Sequence, residues 1–432
     1  MSAFLDESYT TVSSRAQRLI KPPLPYILAL IQYLDNQYDP DRNPSGKVLM
    51  AVAENKLCFD MLKDRVLAAC CESALRDSTM VLNYTSSTGI PSLKKALSDF
   101  LAQYIFAGQA VDPGHLVVSS GCVATLVTLS LLLFEPDDSV LIPTPYYPAF
   151  DADFSNFGHV SVQPVRCEHP DENNPFGYIT PEALAAAYEE ARSRHQPPKA
   201  LLLSNPVNPT GRLLTPAELQ GALDFSRSHK LHLVMDEIYA LSVFNGGSFT
   251  SVVRMLDGQL GDYVHWVWSF SKDFGASGLR TGVLYTQNKS LLAAVNSTND
   301  AMMVSNLTQL AFQTVIRDDA FVASYIVTNA QRLQGSYKVL SELLTALSVR
   351  VLPAQGGIFA FVSFATVCKI ASYEEEKAFF EHMLSHGVLL TPGQSCHCPL
   401  PGYFRVCYAF VTELAMREGV RRIGSAIATF RS

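Results

Sequence analysis

The stretch Val264-His265-Trp266-Val267-Trp268-Ser269-Phe270-Ser271-Lys272 runs from an apolar segment into two serines and a lysine. Its first five residues are mostly β-branched or aromatic, which is typical of a strand buried on both faces of a sheet. Lys272 then lies just beyond the end of that predicted strand. Ligands of open α/β sheets bind outside the carboxyl ends of the strands, so Lys272 is a candidate site residue.

Short apolar segments alternate with helical patterns around this stretch. Strands are predicted at residues 116–118, 139–143, 160–165, 200–204, 231–235 and 282–285, with helices that begin near Cys122 and span 216–229. Alternation of this kind, with continuously apolar strands, predicts a mostly parallel sheet between two layers of helices. The predicted fold class is therefore α/β.

The last third of the chain has a different pattern. A long helical pattern extends from residue 306 to about 347, with a weak break at 317–319. Short strands at 349–353, 358–363 and 404–409 then mix with helices at 374–386 and 411–430. This α+β pattern predicts a second, smaller domain.

Composition narrows the class of partner. The 432 residues are 48% hydrophobic and carry a net charge of -7, and we find no basic stripe interleaved with aromatic residues, so we expect no nucleic-acid partner. The most apolar stretch, 122–134, is too short to span a bilayer, and the first twenty residues contain Asp6, Glu7, Arg15 and Arg18, which argues against a secretory signal. Nine cysteines without metal-ligand spacing predict reduced thiols and no metal. We expect a cytoplasmic protein that acts on a small organic molecule.

Polar residues follow the other predicted strands. Asp236 and Tyr239 come directly after the strand at 231–235, and Asn208 lies in the loop after the strand at 200–204. A carboxylate there can pair with a protonated ring nitrogen, and the amide and phenol can donate hydrogen bonds. Taken alone, Asp236 could be a helix N-cap and the two Asn-Pro steps a turn.

A second group of residues suits an anion. Ser119-Ser120-Gly121-Cys122-Val123 joins a strand to a helix, and the N–H groups at a helix N-terminus bind phosphate. Arg280, eight residues after Lys272, has a planar fork that matches phosphate, and Ser269 adds a hydroxyl. Tyr147 offers an aromatic face, although core packing would also explain it.

In this order, Asn-Pro-x-Asn-Pro-Thr-Gly, Asp-Glu-x-Tyr and Ser-x-Ser-Lys followed by arginine resemble the class I/II aminotransferase family, which has PLP fold type I. The resemblance covers most of the chain. It implies a large domain at 61–339, a small domain formed by 1–60 and 340–432, pyridoxal 5'-phosphate as cofactor, and a homodimer with shared active sites. Lys272 would form the Schiff base and move the substrate proton. The other implied cofactor ligands are Asp236 at the ring nitrogen, Asn208 and Tyr239 at the phenolic oxygen, Tyr147 on the ring, and Cys122, Val123, Ser269 and Arg280 at the phosphate.

Three further segments, at 53–60, 143–148 and 397–407, look like the aminocyclopropane-carboxylate synthase branch of that family. That likeness implies that Arg405 clamps the substrate α-carboxylate and that Glu54 lies near the substrate. Plant-type synthases carry Asp-Tyr-His-Gly where this chain has Ser-Ser-Thr-Gly at 86–89. Tyr84, five residues before the glycine, would then take the place of their tyrosine in the neighbouring subunit's site.

The reaction stays open at this level. The synthases also have Asn-Pro-Leu-Gly where this chain has Asn-Pro-Thr-Gly at 208–211, and threonine where it has Val123. This chain therefore departs from them at several positions. An aminotransferase-type reaction at the α-carbon of an amino acid is the leading hypothesis. The alternatives are a carbon–sulfur lyase acting on a sulfur-containing amino-acid conjugate in secondary metabolism, as in sulfur-bridged diketopiperazine toxin pathways, and an aminocyclopropane-carboxylate synthase. A degenerate binding protein is the non-enzyme alternative, which the retained lysine, aspartate and arginine disfavour.

Overall fold

The computed structural model describes residues 11–430, so the predictions made for the chain's first ten and last two residues lie outside the described part. The helices are α1 (Ser14–Leu19), α2 (Pro25–Tyr33), α3 (Phe59–Arg76), α4 (Ser78–Leu82), α5 (Pro91–Tyr104), α6 (Cys122–Leu132), α7 (Phe150–Gly158), α8 (Pro181–Ser193), α9 (Pro216–His229), α10 (Val252–Met255), α11 (Phe270–Asp273), α12 (Lys289–Thr298), α13 (Asn306–Ile316), α14 (Asp319–Ala346), α15 (Tyr373–Ser385) and α16 (Glu413–Thr429). The strands are β1 (Val48–Leu49), β2 (Leu116–Ser119), β3 (Ser139–Pro143), β4 (Ser161–Val165), β5 (Pro198–Ser204), β6 (His232–Asp236), β7 (Val264–Ser269), β8 (Gly282–Thr286), β9 (Arg350–Val351), β10 (Phe359–Ser363), β11 (Val388–Leu389), β12 (Thr391–Pro392) and β13 (Tyr403–Cys407).

A seven-stranded sheet in the order β2-β8-β7-β6-β5-β3-β4 forms the centre of the molecule. Every neighbouring pair in it is parallel except the two pairs that involve β8, which runs against both β2 and β7. The predicted α/β fold with a mostly parallel sheet is therefore confirmed. The direction of β8 is not contained in the sequence pattern, which shows only that an apolar strand is present.

Helices cover both faces of this sheet because its strands are apolar on both sides. One buried cluster joins the sheet to α3, α5, α8, α9 and α13, and a second joins the opposite face to α6, α7 and α12. Eight of the eleven residues of α6 are buried, which explains why most of its sequence is apolar. The predicted helix at 216–229 and the predicted strand at 139–143 have the observed bounds, whereas the sequence patterns used above do not predict α3, α5, α7 or α8.

A second core lies around the smaller sheet β12-β13-β10-β9, which is antiparallel. It gathers residues from both ends of the described chain, because β1 pairs with β11 and α2 packs against the same cluster as α15 and α16. The long helix α14 contributes to this core and to the large one. This distribution supports a two-domain division, and the bounds 1–60, 61–339 and 340–432 remain a prediction.

Two structural features of residues 11–430 bear on the class of protein. None of their helices is both long enough and apolar enough to cross a membrane. All nine cysteines lie in this range, and none of them forms a disulfide.

Candidate active site

A cavity of about 170 Å³ opens at the edge of the central sheet where β5, β6 and β7 end. Residues from the loops after these strands line it together with the first turn of α6 and one face of α7. Most of the residues predicted from the sequence as cofactor ligands are among its lining. The lining residues are Cys122, Val123, Leu126, Tyr147, Phe150, Asp153, Ser204, Asn208, Asp236, Ile238, Tyr239, Ser271, Lys272, Ser277 and Arg280.

Lys272 is held in this cavity by the single turn α11. Ser269 caps that turn by accepting a hydrogen bond from the Ser271 N–H at 3.0 Å. The neighbouring Asp273 is fully buried and accepts hydrogen bonds from the backbone N–H of Leu241 and the indole of Trp268, among others. The half-buried Lys272 amine donates to the carbonyl of Ala53, and burial lowers its pKa. The turn therefore presents an amine that loses its proton more readily than an exposed lysine does, as a nucleophile or base requires.

Close packing around Gly275 brings the 53–57 segment against this turn. Gly275 has a φ of +60°, and a Cβ there would lie 2.2 Å from the carbonyl oxygen of Asn55. A side chain at this position would be strained and would push the two segments apart. The contact between Lys272 and Ala53 thus depends on a glycine three residues further along the chain.

Asp236 ends β6 and lies on the cavity wall. It is 7% exposed, and its Oδ1 accepts one hydrogen bond, from the N–H of Ile238 at 3.2 Å. Burial raises the pKa of Asp236 to about 7, against the opposing influence of that hydrogen bond and of the Lys272 charge. A positively charged group or an N–H donor that binds in the cavity would therefore stabilise the ionised form of this carboxyl group.

Asn208 and Arg405 meet behind the cavity wall. The buried Arg405 donates to Asn208 Oδ1 at 3.0 Å. Because a guanidinium can only donate, this bond orients the amide, with its oxygen toward Arg405 and its NH₂ group free to donate elsewhere. Arg405 Nε is buried and has no hydrogen-bond partner among residues 11–430. A carboxylate would satisfy it.

The predicted anion-binding turn packs directly against Arg280. Gly121 has a φ of +100°, and a Cβ there would lie 2.4 Å from an Arg280 guanidinium nitrogen. Arg280 itself is exposed and donates to the carbonyls of Ser277 at 2.9 Å and Ser120 at 3.3 Å. The N-terminus of α6 and a guanidinium thus converge on one point, which suits a phosphate group.

Four predicted site residues are not on the cavity wall as described. Ser269 is fully buried, and its hydroxyl donates to the Thr281 carbonyl at 2.8 Å and lies 2.7 Å from the hydroxyl of Ser271. Ser271 lines the cavity in its place. Arg405 lies behind Asn208, as described above.

Glu54 accepts a hydrogen bond at 2.7 Å from Ser277, which does line the cavity. Tyr84 is 96% exposed and is not among the residues that line this cavity.

Sequence reasoning missed Phe150 and Asp153, which α7 brings to the cavity. Phe150 packs edge-on to Tyr147, with ring centroids 5.3 Å apart. The spacing of Phe150, Asp153 and Phe154 is helical and would have indicated α7. That Asp153 faces the cavity could not be inferred, because a carboxylate in the first turn of a helix is ordinarily an exposed favourable charge.

The fold and this cavity together define an enzyme of the pyridoxal-phosphate-dependent aminotransferase type, and comparisons with known proteins agree. Residues 47–423 match the family described as aminotransferase class I and II. The 1-aminocyclopropane-1-carboxylate synthase 7 of Arabidopsis thaliana is 32% identical over 413 residues, 92% of this chain and 91% of that protein. The corresponding synthase of Nicotiana tabacum is 30% identical over 418 residues, 94% of this chain and 84% of its own length.

Solved structures with the same fold include an aspartate aminotransferase double mutant of Thermus thermophilus. Its TM-score is 0.80 at 21% sequence identity, covering 96% of this chain and 99% of that one. An aminotransferase of Mycobacterium tuberculosis has a TM-score of 0.77 at 22% identity, with 97% and 99% covered. The chain belongs to the aminotransferase class I and II family, in the branch that resembles aminocyclopropane-carboxylate synthases, and its cofactor is pyridoxal phosphate.

The side chains in the cavity fit that cofactor. The amine of Lys272 can react with the aldehyde of the cofactor, and the buried carboxyl group of Asp236 can pair with its ring nitrogen. The N-terminus of α6 and the guanidinium of Arg280 can bind its phosphate. Tyr147 offers an aromatic face on the same wall. The donor set therefore agrees with the chemistry of the cofactor at each of its polar ends.

The raised pKa of Asp236 predicts how the stability of the cofactor-free protein depends on pH. The group has a folded pKa of about 7 and an unfolded pKa near 3.9, so its favourable contribution is present below about pH 4 and is lost as the pH rises through 7. We expect Asp236→Asn to raise the free energy of unfolding relative to wild type at pH 8, by an amount on the order of 4 kcal/mol, and to change it little at pH 4. Urea unfolding at both pH values measures this, with the exposed Asp262→Asn as control. An equal effect of Asp236→Asn at both pH values would contradict it.

Proposed function

We propose that this pyridoxal-phosphate enzyme removes the α-proton of an amino acid or a compound derived from one, and that transamination is the leading outcome. The observation that carries the proposal is that Lys272 and Asn208 line one cavity, while Arg405 donates a hydrogen bond to Asn208 and is close enough for its charge to act on Lys272. The unpaired Nε of Arg405 supports a role in binding an α-carboxylate. The proximity of Lys272 supports its role at the adjacent α-carbon.

The cofactor, when bound, supplies the electron sink that makes loss of the α-proton feasible. Proton transfer and the binding of cofactor and substrate depend on this chain's own side chains. The lowered pKa of Lys272 supports its action as the base that takes the α-proton and later delivers it. Asp236 would hold a proton at the ring nitrogen, Asn208 and Tyr239 would donate to the phenolic oxygen, and Arg280 with the α6 N-terminus would bind the phosphate.

The side chains that enclose the reacting atoms also exclude water. Tyr147, Phe150 and Leu126 place apolar surface on the cavity wall. A dry cavity strengthens the attraction between the Arg405 guanidinium and a substrate carboxylate, because little solvent remains to screen it. The position to which Lys272 returns the proton then decides whether the amino group is transferred or a side-chain group is eliminated.

Elimination is the second candidate, as a carbon–sulfur lyase or a cyclopropane-forming synthase. It is favoured by the relatives named above, which are 1-aminocyclopropane-1-carboxylate synthases at 30–32% identity over most of this chain. Against the synthase reaction itself stand Ser86-Ser87-Thr88-Gly89 and Val123, where the branch carries other residues. The lyase reading needs only the proton removal common to all these reactions and a leaving group on the substrate side chain.

We further propose that the protein is a cytoplasmic homodimer. Leu75, Leu82 and Tyr84 are 87%, 81% and 96% exposed on neighbouring parts of the chain, and Leu67 on the same helix as Leu75 is also exposed. Exposed apolar side chains so close together along the chain favour burial against a second copy. Tyr84 would then lie near the neighbouring subunit's cavity. The absence of disulfides among the nine cysteines supports a reducing compartment.

Replacing Lys272 tests the cofactor site. The purified wild type, supplied with pyridoxal phosphate, should show visible absorbance from the bound cofactor, and Lys272→Ala should lose that absorbance because the amine that binds the aldehyde is gone. Turnover should fall by at least about 10²-fold. The exposed Lys289→Ala is the matched control and should keep both. A colourless wild type would refute the cofactor site itself.

Product analysis distinguishes the two reactions. The holoenzyme is incubated with a panel of amino acids that includes sulfur-containing conjugates, and products are identified by mass spectrometry and cofactor spectra. Transamination predicts a keto acid together with stoichiometric conversion of the cofactor to its aminated form. Ammonia or a free thiol without that conversion would instead identify a lyase, and release of a cyclopropane amino acid a synthase.

Glutamate substitutions at the exposed leucines Leu75 and Leu82 test the proposed dimer. Wild type should sediment as a dimer, and Leu75→Glu combined with Leu82→Glu should shift it toward monomer, because two carboxylates would be buried at the interface. Leu414→Glu, at an exposed leucine on α16, is the control and should leave the dimer intact. A wild type that sediments as a monomer at micromolar concentration would contradict the proposal.

A further inference from the structure

Asp153 is a second carboxyl group on the wall of the active-site cavity. It lies in the first turns of α7 and is 5% exposed, and it lines the same cavity as Asp236 and Lys272. Its Oδ2 atom is buried and makes no hydrogen bond to any of residues 11–430. Native proteins seldom leave a buried polar atom unpaired, and such an atom often indicates a functional constraint.

The charge around Asp153 makes an ionised carboxylate costly. Within the described chain it forms no ion pair with a cation, and the charged groups that bear on it most are two further carboxyl groups, Asp236 from β6 and Asp151 from its own helix. Cys122 from α6 and Tyr147 from the preceding loop also face it, and both are un-ionised because burial raises their pKa values. Burial, and after it the charges of Asp236 and Asp151, raise the pKa of Asp153 to about 7.

Two like groups in one desolvated cavity do not both ionise readily. Asp236 is the group with a compensating neighbour, because the Lys272 charge and a backbone N–H both favour its ionised form. Asp153 has no such neighbour. Its position in the first turns of α7 offers only the modest stabilisation that a helix N-terminus provides.

We propose that Asp153 is a protonated, neutral carboxylic acid in the folded protein, and that it donates a hydrogen bond to Asp236 and so keeps Asp236 ionised beside the cofactor's ring nitrogen. Asp153 is thus a positioning residue that acts through Asp236. The two groups make no direct hydrogen bond in the structure, so a rotation of the Asp153 side chain or one bridging water completes the contact. The inference rests on the proposed cofactor site and adds to it a residue outside the family motifs.

Paired substitutions separate a neutral donor from a charged group. Asn has nearly the shape of Asp, is neutral at every pH and can donate, so Asp153→Asn should bind pyridoxal phosphate within about 2-fold of wild type. Asp153→Ala cannot donate, and its dissociation constant for the cofactor should rise by about 10-fold, or ~1.4 kcal/mol at 25 °C. Fluorescence titration of each full-length variant measures both values. Equal weakening in the two variants, or no weakening in either, would overturn the proposal.

Infrared spectroscopy observes the proton itself. The wild-type spectrum at pH 6 should contain the carbonyl-stretch band of a buried un-ionised carboxyl group, and Asp153→Asn should lack the Asp153 part of it. Asp151→Asn, two residues earlier on the same helix, is the matched control and should retain that part. The measurement is made on the cofactor-free full-length protein. An unchanged band in Asp153→Asn would therefore refute the inference whether or not the proposed cofactor chemistry holds.

Discussion

The antiparallel direction of β8 is the constraint on which the site depends. The parallel strands β5, β6 and β7 deliver Asn208, Asp236 and Lys272 from their carboxyl ends to one edge of the sheet. Because β8 runs the other way, the residues that precede it reach the same edge, and Arg280 meets the N-terminus of α6 there. If β8 were parallel, Arg280 would lie at the opposite edge and the phosphate would lose its guanidinium.

Burial sets the chemistry of this edge. The amine of Lys272 is pushed toward its neutral form, and the carboxyl groups of Asp236 and Asp153 toward their protonated forms, by the same loss of solvent. The loss of solvent thereby favours Lys272 as a base, whereas Asp236 needs a compensating partner to be ionised beside the ring nitrogen. Burying these ionisable groups destabilises the cofactor-free protein, and this cost is offset when a ligand with complementary charges binds.

Much of this arrangement could be predicted because it depends on local pattern. The apolar strand before Lys272, the carboxylate directly after β6 and the glycine before α6 are adjacent in sequence to the elements that position them. Asp153 could not be predicted in this way. Its role depends on which face of α7 packs against the sheet, and a helix that carries Asp151 and Asp153 two residues apart presents them to different surroundings. Ser269 shows the same limit, since its hydroxyl is taken by the Thr281 carbonyl across a loop.

The sequence by itself determined the fold class, the family and the identity of the cofactor, because these follow from short motifs whose order along the chain mirrors the order of strand ends. Only the tertiary structure decided which of the predicted residues share a cavity, which way the Asn208 amide points, and that a second carboxyl group stands near the first. Those properties arise from contacts between segments far apart in the chain. Burial and charge at such contacts are set by packing in three dimensions, which no local pattern of residues encodes.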